Sequence, residues 1–150
     1  MCVLCLDNVT GVTQLHDVVY VLCWQSSTIM RFSATTHQRL TDMDVLDLRR
    51  PEDIATCERT SRLYVADWDS VWRVSPDGAD IRHWRPDCRY DPMKEVKVDV
   101  TDRSLSVTST RLLVTSRHAR QLRQFDTDGD ELRRVQIPRH MEPRLSLIHI

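Results

Sequence analysis

The sequence is poor in glycine, with only Gly11, Gly78 and Gly129 in 150 residues. That excludes a glycine-rich loop cradling a phosphate, and no Gly-x-Ser-x-Gly elbow presents a nucleophile. Lysine is nearly missing as well, Lys94 and Lys97 standing against nineteen arginines. The formal net charge is −1, so no diffuse basic coat draws nucleic acid or an anionic membrane. Apolar runs are short and none approaches the length that crosses a bilayer. The opening MCVLCL is broken by Asp7 and lacks a basic lead, so it does not read as a signal peptide. Helical periodicity is absent throughout, and its nearest approach, Asp42 to Leu48, fits a loop as well.

Five cysteines are too scattered for a disulfide framework, and their odd number favours a reducing, cytoplasmic setting. Cys2 and Cys5 form a CxxC without a second pair at zinc spacing. Cys23, in an alternating run, is expected to pack as a small apolar side chain. His16, His118 and His140, with Asp67 and Asp69, are the residues from which a metal or acid–base site would be drawn. They share no repeated position and show no His-x-His or Glu-x-x-His spacing. In Asp126-Thr127-Asp128-Gly129-Asp130-Glu131 the glycine is fourth, not sixth as a calcium loop requires, so the segment reads as a turn. No catalytic residue, metal or cofactor is expected.

What is present is a repeat. Val18 to Cys23 (VVYVLC), Arg62 to Asp67 (RLYVAD) and Arg111 to Ser116 (RLLVTS) alternate as strands do, and each is followed by a second run: IMRFS, VWRVS or LRQFD. Steps from Tyr20 to Tyr64 to Leu113 are 44 and 49 residues; those from Ile29 to Val71 to Leu122 are 42 and 51. Two independent strands thus recur at one period, at or a little above the roughly 40 to 45 residues of a four-stranded propeller blade. Fainter strands flank each pair: Val9 to Val12, Asp53 to Ala55 and Leu105 to Val107 before it, HQRLT, DIRHW and ELRRVQI after it. Asp77-Gly78 and Asp128-Gly129 occupy the reversal before the fourth strand, where the first unit has Thr35-Thr36 instead.

The middle unit, PEDIA followed by LYVAD and VWRVSPDG, resembles the NHL repeat in its Pro-x-Gly-Ile-Ala start, its Tyr-Val-Ala-Asp strand and its closing glycine turn. The wider class is that of TolB-like and YWTD-like six-bladed propellers. The flanking units match by pattern alone. The family's Asn-His-Arg is replaced by Trp68-Asp69-Ser70, and its Ala-Asp by Leu22-Cys23 and Thr115-Ser116 in the neighbours. The resemblance implies an all-β fold, an incomplete β-propeller of about three four-stranded antiparallel blades out of about six. Residues 7–48, 50–90 and 96–140 would form the blades of a domain spanning 1–144. Leu145 to Ile150 (LSLIHI) breaks the pattern and is expected to be a non-native tail, the chain being a fragment of a longer protein.

In a propeller, the connections from second to third strand, and from fourth strand to the next first, gather on one face. Repeat alignment puts Trp24, Trp68 and Arg117 in one slot of that face, with Asp69, His118 and Arg120 beside them. Tryptophan and arginine are common anchors of protein interfaces. The expectation is a non-enzymatic binding module that takes a protein partner there. RNA is the alternative, with Arg117, His118 and Arg120 on phosphates and the tryptophans stacking on bases; a metal-dependent lyase or hydrolase is the second. Equally open is a structural role in which Trp24 and Trp68 wedge between blades. Trp72 is expected to pack between blades and Trp84 to shield an outer edge.

Overall fold

The computed structural model describes residues 8–68, 70–84, 103–108, 110–116, 121–138 and 140. They form twelve strands and, among the described residues, no α-helix. The first unit contains β1 (Val9–Leu15), β2 (Val18–Cys23), β3 (Thr28–Ser33) and β4 (Met43–Asp44). The second contains β5 (Asp53–Cys57), β6 (Arg62–Ala66), β7 (Val71–Val74) and β8 (Ile81–Trp84). The third contains β9 (Arg103–Val107), β10 (Leu112–Ser116), β11 (Gln121–Phe125) and β12 (Glu131–Gln136). Each unit is a separate four-stranded antiparallel meander with strands in chain order.

HQRLT forms only a bridge between Arg39 and Phe32, and the fourth strand of the first sheet shrinks to Met43–Asp44. The Asp42 to Leu48 stretch is that strand and a loop. Turn chemistry explains the reversals. Gly78 and Gly129 have φ of 73° and 95°. The Asp77 carboxylate accepts the Ala79 amide, and that of Asp126 accepts the amides of Asp128 and Asp130. These bonds make an Asx turn, which fixes the reversal without any ion. Lacking the glycine, the first sheet reverses with His37 at φ 61° and with Asp17 accepting from Ser33 and Thr35.

First strands of successive sheets run side by side, β1 along β5 and β5 along β9. Thr10 Oγ1 donates to the Pro51 carbonyl at 2.9 Å, Thr13 and Thr56 hydroxyls meet at 3.2 Å, and Thr56 Oγ1 donates to the Gln14 carbonyl at 3.2 Å. Rising numbers on one strand meet rising numbers on the other, so the two sheets have the same orientation. Gly11 is required here: a Cβ would sit 2.9 Å from Ile54 Cγ2 and 3.2 Å from the Ile54 nitrogen. Between β5 and β9, the Asp53 carboxylate accepts the Leu105 amide at 2.7 Å and its own neighbour's amide, Ile54, at 2.9 Å. Side chains thus satisfy backbone groups on edges that no ladder covers.

Two buried clusters fill the joints. One joins Leu15, Leu22, Ile29 and Met43 of the first sheet to Ile54, Leu63, Val65, Trp72 and Val74 of the second. The other joins Ala55, Tyr64, Ala66 and Val71 of the second to Leu105, Leu112, Val114 and Phe125 of the third. The second sheet is therefore buried on both faces, which is why β6 and β7 are apolar at nearly every position. Trp72 lies between the first two sheets as expected. Trp84 does not merely shield an edge: its ring packs on Phe125 at 6.2 Å and covers the place where Gly129 would carry a Cβ, 2.9 Å away. Cys23 is buried but disulfide-bonded, which corrects the expectation of a free apolar cysteine.

Candidate binding face

The common orientation of the sheets brings their β2–β3, β4–β5 and β6–β7 connections to one end. Two of these connections are anchored alike. The Trp24 amide donates to the Asn8 carbonyl at 3.0 Å, and the Trp68 amide donates to the Arg49 carbonyl at 3.1 Å. Trp24 is the first residue after β2 and Trp68 the second after β6, and each is tied to the segment that leads into the first strand of its own sheet. Trp24 is half-buried beneath the Arg50 guanidinium, whose carbon lies 5.6 Å from the ring centroid. Arg50 belongs to the connection that leads into the second sheet, so this cation–π contact crosses between units. Trp68 is 37% exposed.

The β4–β5 connection adds residues that the repeat alignment passed over. Leu46 is 81% exposed, and Arg49 and Arg50 follow it. The Val45 amide donates to the Ser27 carbonyl at 3.0 Å, which holds this loop against the β2–β3 turn. Asp47 and Arg50 adopt φ of 68° and 48°, a left-handed conformation that ordinary residues keep only where their surroundings enforce it. A signal existed in the sequence: the Leu46 side chain belongs to no strand register, and its connection is of the second kind that gathers on this face. Asp69, Arg117, His118 and Arg120 lie outside the described residues.

Beneath the face sits Asp67, 1% exposed. Its Oδ2 accepts the Trp72 indole N–H at 2.8 Å and the Arg49 amide at 3.2 Å, and its Oδ1 accepts the Ser70 amide at 2.8 Å. One carboxylate therefore clamps the β4–β5 connection, the β6–β7 connection and a core tryptophan. Its acceptor capacity goes to structure, which removes Asp67 from the candidates for acid–base chemistry. His16 is no better placed, at the opposite end, where its Nε2 meets the Ser61 hydroxyl at 3.1 Å on the surface. Among the described residues, no group of three or more His, Cys, Asp or Glu side chains is arranged to hold a metal ion.

No protein-family model matches the sequence, and no curated protein matches it. Solved structures do match. Virginiamycin B lyase from Staphylococcus aureus superposes with a TM-score of 0.65 at 10% identity, over 87% of this chain and 42% of that one. The nidogen/laminin complex gives 0.65 at 18% identity, over 85% and 46%, and the WD40 repeats of RRP9 give 0.65 at 10%, over 86% and 38%. The three sheets are blades of a β-propeller. At these identities the likeness establishes the fold alone, and the chain spans less than half the length of the propellers it matches. In propeller terms, β1, β5 and β9 are the inner strands of three successive blades, and Trp24, Leu46, Arg50 and Trp68 stand on one rim of the ring.

Burial and charge set the titration of several groups. Burial pushes the Asp53 carboxyl upward against the opposing pull of the Leu105 and Ile54 amides. Burial likewise raises Tyr20 and Tyr64. On the outer strand of the third blade, Glu131 is held down at about 2 by hydrogen bonds from Arg134 and Arg123.

Proposed function

We propose that the chain is a non-enzymatic binding segment of a β-propeller of the NHL type, taking a protein partner on the rim that carries Trp24, Leu46, Arg50 and Trp68. The observation that carries this reading is the exposure of Leu46 (81%) and Trp68 (37%) beside the Arg50–Trp24 stack. Large apolar groups next to a pre-positioned guanidinium are the composition of interface hot spots. The NHL assignment rests on PEDIA, LYVAD and VWRVSPDG in the second blade, where the Asp of LYVAD is the buried clamp Asp67. The nidogen/laminin complex, a propeller-fold likeness seen with another protein, supports the same mode of use.

The test is capture of partners from an extract by the protein, by Trp68→Ala and by Leu46→Ala, with melting temperature measured in parallel. Both side chains are exposed, so each variant melts within a degree or two of the parent yet loses its partner. Retained capture by both variants sinks the reading, and unfolding of Trp68→Ala favours a structural wedge instead. Capture that falls steeply with salt and is abolished by ribonuclease transfers the rim to RNA.

A further inference from the structure

Asn8 is the only asparagine in the sequence, and it opens Asn8-Val9-Thr10, an asparagine two positions before a threonine with no proline between them. That is the acceptor sequence for an N-linked glycan. Such a tripeptide also arises by chance, so its surroundings decide whether it can be used. Asn8 is exposed at the start of the inner strand β1, and among the described residues its side-chain amide makes no hydrogen bond. Its backbone is held, because its carbonyl accepts the Trp24 amide at 3.0 Å. The side-chain amide is thus accessible at a fixed point of the surface.

The same corner of the first blade carries a mark of compartment. Cys23 is disulfide-bonded, and it pairs in register with Val9, the middle residue of the acceptor sequence. Disulfides persist where the surroundings are oxidising, in secreted and lumenal proteins, and asparagine-linked sugars belong to the same route. The bond therefore outweighs the odd cysteine number, which pointed to a reducing setting. Thr10 adds an order of events. Its hydroxyl donates to the Pro51 carbonyl at 2.9 Å across the joint with the second blade, so it is engaged once the blades have docked. Sugar transfer that needs this hydroxyl free precedes that docking.

We propose that Asn8 is a glycosylation site and that this propeller is a protein of the secretory route. The donor is an oligosaccharide carried on a lipid pyrophosphate. Asn8 Nδ2 forms a bond to C1 of the first sugar as the bond from C1 to the pyrophosphate oxygen breaks. The amide gives up one proton, the lipid pyrophosphate leaves with the bonding pair, and nothing is oxidised or reduced. The glycan then stands at the corner where Trp24 begins the β2–β3 connection.

The protein is taken from the cells that make it, alkylated and digested without prior reduction, and the peptide carrying Asn8 is treated with peptide-N-glycosidase in heavy-oxygen water. Mass spectrometry should show loss of the sugar and conversion of Asn8 to aspartate carrying the heavy oxygen. In parallel, the chain is expressed in cultured animal cells behind a cleavable leader and scored in cells and medium together, so that a poorly folded variant is still counted. The parent should run as a glycosylated band that the glycosidase shifts down. Asn8→Gln should run at the shifted position without the enzyme, and Thr10→Ser, which keeps the hydroxyl, should keep the glycan. Bare Asn8 in the native protein, a glycan that survives Asn8→Gln, or Cys23 alkylated as a free thiol overturns the proposal.

Discussion

Asp67 is the residue on which the second blade and the rim both depend. Its donors include the Trp72 indole and the Ser70 amide from the segment that follows it and the Arg49 amide from the connection before β5. An unsatisfied buried donor costs about 1–3 kcal/mol, so Asp67→Ala should destabilise the protein by about 3 kcal/mol or more in urea or guanidinium titration. Asp67→Asn keeps one acceptor oxygen, orphans at least one donor and should fall between. Destabilisation below about 1 kcal/mol for the alanine variant would mean that water takes over the clamp. The sequence reading placed Asp67 in a repeat signature and also among possible catalytic groups. Spacing could not separate these roles, because the partners that decide it, Arg49 and Trp72, lie 18 positions before it and five after.

At the scale of the element, Glu131 on β12 offers a pH test with a defined sign. Its folded value of about 2 lies below its ordinary 4.5, so it adds stability that is present above about pH 4.5 and lost as pH falls toward 2. Asp53 runs oppositely: burial raises its carboxyl, so its contribution is best below its ordinary value and declines as pH rises. Glu131→Gln should therefore flatten part of the acid limb of the stability profile. The change should be about 1 kcal/mol or a little more at moderate salt, since the Arg134 pair is exposed and contributes little, whereas Arg123 is buried and its pair with Glu131 is screened less. An unchanged acid limb would show that the pair persists in the unfolded chain.

The strands themselves were legible, because period-two alternation and Asp-Gly turns are local signals; β6, β7, β8, β11 and β12 begin within a residue or so of the runs that announced them. Facing was not legible. Alternation says that Trp72 and Arg73 point to opposite sides, and the natural inference is that one of them meets solvent. In a propeller both sides are joints: Trp72 enters the first joint, and Arg73, with 11% of its side chain exposed, donates across the second to the Thr127 carbonyl at 2.6 Å. Trp84 was misjudged for the same reason, since its partners Phe125 and Gly129 lie in another sheet.

For the molecule as a whole, the joints decide how unfolding spreads. Blades that touch only their neighbours behave as a linear array, in which stability is a sum of unit and joint terms. The second joint leans on Trp84, which packs on Phe125 and Gly129, together with the Asp53 and Arg73 bonds that cross it. Removing the indole leaves a cavity against the third blade and leaves the first joint, with its threonine contacts and Trp72, untouched. Trp84→Ala should therefore speed amide exchange in Leu112–Ser116 and Gln121–Phe125 while Val18–Cys23 keeps its protection. If exchange rises equally in all three blades, the chain unfolds as one cooperative body, and the joints couple it far more tightly than their separate clusters imply. Selective loss in the third blade would locate the rim carrying Trp24 and Trp68 on the part that holds, since both belong to the first two blades.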